Sequence, residues 1–101
     1  MKILGIETSC DDTAVGIVED GRSIISNIIF SQDDMHTEFG GIMPEIASRE
    51  HIVKIIPAIN KALYEAKMSL NDIDAVSVTY GPGLAGSLLI GVNTAKSMAI
   101  S

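Results

Sequence analysis

The chain has 101 residues, 47% hydrophobic and 20% charged, with a formal net charge of −6. That length suits one small folded unit rather than two, and the composition excludes intrinsic disorder. The acidic balance and the lack of a basic run exclude this segment as the main grip on a nucleic acid, whose phosphates call for a basic face.

Residues 2–9 (KILGIETS) are a short apolar run ending in small polar residues and predict a buried strand. Residues 14–19 (AVGIVE) predict a second strand and 22–31 (RSIISNIIFS) a third. Between them Asp20-Gly21 is a two-residue hairpin signal, so the three should form an antiparallel meander. Residues 32–43 read as a polar, glycine-containing loop. Pro44 then opens a helix over 44–67 where its missing N–H does no harm, and Glu45 complements the helix dipole. Ile52, Ile55, Ile56, Ile59, Leu63 and Ala66 recur at three and four and mark the expected apolar face. Pro57 lies inside that pattern and should kink or split the helix, because it has no N–H to give residue 53. Ser69 and Asp72 have the spacing of a capping box around a short turn. Residues 74–80 (DAVSVTY) predict a fourth strand, and Gly81-Pro82-Gly83 a break. Residues 84–100 read as a small-residue helix with Leu84, Leu88, Val92, Ala95 and Ala99 on one side.

The order is β-β-β-α-β-α, with no repeat or linker composition. An Ile/Val/Ala-rich chain without Trp suits an α/β core in which helices cover buried strands. This order opens the ribonuclease-H-like lobe shared by actin, Hsp70 and sugar kinases. The expected fold class is α/β, with 1–101 a partial first actin-like lobe that ends before its next strand. The single cysteine, Cys10, precludes an internal disulfide and fits a reducing, cytoplasmic setting. Lys2 followed by a short apolar stretch is no secretory signal, and no apolar run nears the roughly 20 residues of a membrane helix.

Three segments carry candidate chemistry. Residues 5–13 (GIETSCDDT) pass from strand to strand across small polar residues. Thr8, Ser9 and Thr13 offer hydroxyls, and Asp11 and Asp12 offer carboxylates that could hold Mg²⁺ beside a phosphate. The plainer reading is a polar turn bonded to its own backbone. Glu7, flanked by apolar residues, must point into a cleft or meet a partner, since a buried unpaired carboxylate is costly. Cys10 is either a nucleophile with His36 or His51 as base, or a packed small hydrophobe. In residues 36–51, Gly40-Gly41 permits a sharp entry into the helix, and Glu45, Ser48 and Arg49 share one helical face that either caps or lines a cleft. His36 and His51, fifteen apart, are better read as partnered surface or capping residues than as metal ligands. Residues 79–86 (TYGPGLAG) run from strand through a glycine-rich turn into a helix start, a place where free N–H groups meet anions. Gly81, Gly83 and Gly86 have GxGxxG spacing but lack the rest of a dinucleotide site, and close packing is the alternative use of these glycines.

Taken together, GIETSCDDT at 5–13, HTEFGGIMPEIASREH at 36–51 and TYGPGLAGSLLIG at 79–91 resemble the TsaD family, formerly described as glycoproteases. The middle segment separates it from the related TsaB family, which shares the fold and the Gly-Pro-Gly turn. The resemblance implies two actin-like lobes around a nucleotide cleft. It implies transfer of threonylcarbamoyl from threonylcarbamoyl-AMP to N6 of adenosine 37 in tRNA, and a bound nucleotide that is either threonylcarbamoyl-AMP or ATP. It implies one iron or zinc ion held by an HxxxH pair and a later Asp, a motif expected beyond Ser101, so no metal ligand is expected in this chain. Thr8, Ser9, Asp11 and Asp12 match the family's cleft-facing first loop, with Asp12 where many members carry Glu. Partners implied are a TsaB-like subunit docked on the helices at 44–67 and 84–100, a TsaE-like ATPase and tRNA. The 101-residue chain alone is expected to be inactive and to self-associate through those helices. The competing readings are the lobe of a generic actin-like ATPase and a non-catalytic interaction module.

Overall fold

The computed structural model describes residues 1–9, 11–31 and 44–100, except for the side chains of residues 44–46 and 100. Strands β1 (Lys2–Glu7), β2 (Thr13–Glu19) and β3 (Ser23–Phe30) form the expected antiparallel meander. Asp20 and Gly21 have φ of 56° and 67°, the left-handed pair that a type I′ hairpin needs. The Arg22 N–H closes the turn onto the Glu19 carbonyl at 3.1 Å. Helix α1 (Pro44–Ala66) carries the chain across to β4 (Ala75–Val78), which pairs in parallel with β1. The sheet order is β3-β2-β1-β4, and helix α2 (Ala85–Ile100) follows β4. Among the described residues the α/β order β-β-β-α-β-α stands, with strand ends trimmed into the loops.

Alternation along the strands sends Leu4, Ile6, Val15, Ile17 and Ile28 into one core with Ile55, Ala58, Ile59 and Ala62 of α1. Fully burying each large aliphatic side chain stabilises the fold by roughly 1.5–3 kcal/mol. Two details of α1 differ from the sequence expectation. The helix runs unbroken through Pro57. Pro57 and Val53 both lie on the solvent side, where water can take the carbonyl left without a donor. The buried face is also rotated: Ala47, His51, Ile55, Ala58, Ile59 and Ala62 are buried, whereas Ile52 and Ile56 are 59% and 55% exposed. Small alanines let the helix approach the sheet closely, and the bulkier isoleucines flank that contact.

Helix α2 shows the same shift. Its buried seam is Ser87, Gly91 and Ala95, with Met98 packed behind, while Ala99 is exposed and Leu88 and Val92 are half-buried. At the end of α1, Lys67 adopts φ 57°, its N–H bonds the Tyr64 carbonyl, and the Met68 N–H bonds the Leu63 carbonyl. That is a complete Schellman ending with lysine where glycine is usual. The Asp72 carboxylate accepts the Ser69 N–H at 2.8 Å, the acidic arm of the expected capping box. Among the described residues, no helix is long and apolar enough to cross a membrane.

Candidate functional site

β1 and β4 are parallel, so their C-terminal ends lie together at one end of the sheet, and β2 begins there. Helices α1 and α2 also start at that end: His51, in the first turns of α1, meets Thr13 at the start of β2, and α2 follows β4 there. The positive ends of two helix dipoles therefore sit beside the acidic first loop. Ligands of parallel α/β sheets gather at such carboxyl ends.

The first loop is fixed from both faces of the sheet. On the helix face Thr8 is fully buried and donates its hydroxyl to the Ser87 carbonyl at 2.6 Å. Gly91 makes room for it, since a Cβ there would lie 2.6 Å from Thr8 Oγ1. On the other face the Glu7 carboxylate accepts the Ser9 N–H and the Thr79 hydroxyl, both at 2.5 Å. Half-burial pulls the Glu7 carboxyl up, but the hydrogen bonds from Ser9 and Thr79 and the nearby His51 outweigh it and hold the group below its usual 4.5. Glu7 thus meets hydroxyl and amide donors, which resolves the cost of its position.

The Gly-Pro-Gly loop closes onto the first loop. The Leu84 N–H donates to the Ser9 carbonyl at 2.7 Å. Gly83 is pressed against Ser9, whose carbonyl oxygen, Cβ and Cα would all lie within 3 Å of a side chain at that position. Close approach explains glycine at 83. Gly81 faces open space. Gly86 faces Ser48 of α1, with 2.7 Å between a would-be Cβ and Ser48 Oγ, and Ser48 Oγ lies 3.4 Å from Ser87 Oγ. Ser48 therefore belongs to the crossing of α1 and α2, while Arg49 is exposed.

Behind the loop, His51 is fully buried, with Nδ1 2.7 Å from Thr13 Oγ1. This corrects the expectation of a surface or capping histidine and takes up the Thr13 hydroxyl. The apolar repeat could have revealed it, since His51 falls four residues after Ala47 and four before Ile55. Ser9, Asp11 and Asp12 are half-buried, and Asp12 Oδ1 is enclosed without a hydrogen-bond partner. Cys10, His36, Gly40-Gly41 and the Glu45 side chain lie outside the described residues. No three His, Cys, Asp or Glu side chains cluster to hold a metal ion among the described residues.

Residues 23–101 match the family model of TsaD, tRNA N6-adenosine threonylcarbamoyltransferase. Curated proteins of that name are similar to almost the whole chain. The one from Dehalococcoides mccartyi is 58% identical over 98% of the chain and 30% of its own length. The one from Protochlamydia amoebophila is 55% identical over 100% of the chain and 29% of its own length. The chain thus spans about 30% of the relatives it matches. Among solved structures, YeaZ from Pseudomonas aeruginosa superposes with a TM-score of 0.67 at 19% identity, over 98% of the chain and 38% of that protein. A second protein, described as similar to peptidase YeaZ, gives 0.69 at 21% identity. At such identity the likeness concerns the fold.

Proposed function

The chain belongs to the TsaD family, and from that premise we propose that the whole protein transfers threonylcarbamoyl from threonylcarbamoyl-AMP to N6 of adenosine 37 in tRNA. The observation that carries this reading is the family match over residues 23–101. Residues 1–101 form part of its first actin-like lobe and supply one wall of the nucleotide cleft. On that wall the first loop offers Ser9, Asp11 and Asp12, and the Gly-Pro-Gly loop leads into the N-terminus of α2. Thr8 and Gly83 serve from behind, by burial and close approach. The iron or zinc ion of the family would be held by residues outside this sequence. The setting is cytoplasmic.

The partner reading rests on apolar surface. Ile52, Val53 and Ile56 of α1 are exposed, and Tyr80, Leu89 and Lys96 rim an open groove along α2 with Leu88 and Val92. Such faces suit a TsaB-like subunit, with a TsaE-like ATPase and tRNA completing the assembly. The 101-residue chain alone should self-associate through the same faces, and a monomer in light scattering across dilution would sink that.

The test of function is reconstitution. Full-length protein, its TsaB-like and TsaE-like partners, threonylcarbamoyl-AMP and tRNA should yield the modified nucleoside on digestion of the tRNA. Its absence with an active preparation would refute the proposal.

A further inference from the structure

Ser9 is held by both its polar backbone groups: its N–H goes to Glu7 and its carbonyl receives the Leu84 N–H. The other oxygen of Glu7 takes the hydroxyl of Thr79, the residue just after β4. The Thr79 N–H is itself fixed to the Ile6 carbonyl at 3.0 Å. One carboxylate at the end of β1 therefore joins the first loop to the end of β4, where the Gly-Pro-Gly loop begins, and Gly83 of that loop lies directly against Ser9. A carboxylate is suited to this task because each oxygen accepts, whereas a glutamine offers one acceptor and one donor group.

We infer that Glu7 is a positioning residue, not a substrate ligand: with Thr79 it sets the spacing between the first loop and the Gly-Pro-Gly loop, and so the shape of the wall that receives the acyl-adenylate. This rests on the functional reading above. Each of its oxygens takes a hydrogen bond from one of the two loop ends, Oε1 from the Ser9 N–H and Oε2 from the Thr79 hydroxyl, and through those bonds its effect reaches substrate by way of the loops it ties.

The test uses the full-length protein with its partners, comparing wild type with Glu7→Gln, Thr79→Val, Thr79→Ser and the Glu7→Gln/Thr79→Val pair. KM for threonylcarbamoyl-AMP and kcat are measured beside the melting temperature. Glu7→Gln and Thr79→Val should each raise KM about tenfold, the scale of one charge-assisted hydrogen bond, with a smaller change in kcat. Thr79→Ser keeps the hydroxyl and should restore KM to near wild type. The double variant should be little worse than the weaker single one, because both break one link. A lowered melting temperature with unchanged KM overturns the inference alone, as does a Thr79→Ser variant no better than Thr79→Val. A wild type with no turnover of threonylcarbamoyl-AMP overturns the functional reading, and the inference with it.

Discussion

The two ends of the sheet are built by different means. At the hairpin end the chain reverses by local devices, left-handed Asp20 and Gly21, left-handed Lys67, and Asp72 bonded to Ser69, and the distant bond from the Lys2 N–H to the Asp74 carboxylate is exposed. The Met1 ammonium meets the Asp20 carboxylate there at 2.7 Å, with both groups exposed. At the loop end the links are Thr13–His51, Glu7–Thr79 and Thr8–Ser87, between residues 38, 72 and 79 apart, and all are buried or half-buried. An end assembled from local turns should forgive substitution, because water satisfies what a mutation leaves behind. An end assembled from distant buried polar groups should not.

Glycine replacements test that contrast most strongly. Gly91→Val drives a branched side chain into Thr8 Oγ1 and Val78 Cγ2, 2.6 and 3.2 Å from the would-be Cβ. It should cost about 3 kcal/mol in urea unfolding. Gly21→Ala meets nothing within 4 Å and suffers only its φ of +67°, about 1 kcal/mol. Equal losses would erase the difference between the ends. Next in size, Thr13→Val deprives buried His51 of a hydroxyl and should cost about 2 kcal/mol. Adding His51→Leu should cost less than the sum of the two single changes, because both act on one contact.

This contrast also explains what the sequence made legible. Element order, the Asp20-Gly21 hairpin and the Ser69/Asp72 turn were readable because each is decided within a few residues. The helix faces were misplaced because Ile52, Ile55, Ile56 and Ile59 give a repeat with two centres. Close approach selected the face bearing Ala58 and Ala62, and hydrophobicity does not report close approach. The same holds for the Ser87–Gly91–Ala95 seam. In the candidate site, the segments 5–13 and 79–86 stood out as chemistry-bearing. That Thr8 and Thr13 turn inward was not readable, since their partners Ser87 and His51 are set by tertiary packing.

A smaller effect of opposite sign is expected at the hairpin end. Lys67 carries the strain of a left-handed residue with a Cβ, and its Schellman bonds need only backbone. Lys67→Gly should therefore stabilise the protein by about 1 kcal/mol, raising the melting temperature by roughly 5 °C. A loss of stability would show that the lysine side chain matters there and that this end is less local than its bonds suggest.

The finest test compares two carboxylates held below their usual values by different causes. For Glu7 half-burial pulls the carboxyl up, and hydrogen bonds from Ser9 and Thr79, with His51 nearby, pull it further down. For Asp20 the cause is the hydrogen bond and charge of the Met1 ammonium. A carboxyl that is more acidic in the folded state stabilises the fold above its unfolded value, and the gain is lost as pH falls through the folded value. Both Glu7→Gln and Asp20→Asn should therefore flatten the decline of stability below about pH 4.5. Salt separates them. The Asp20 pair is exposed, so in 1 M salt, where screening acts over about 3 Å, the wild type should already behave like Asp20→Asn. The Glu7 contribution comes from short hydrogen bonds in a sheltered place and should persist, leaving Glu7→Gln distinct from wild type at both ionic strengths. If salt abolished both differences alike, Glu7 would be no more than a surface charge, and the loop end would lose its claim to a different construction.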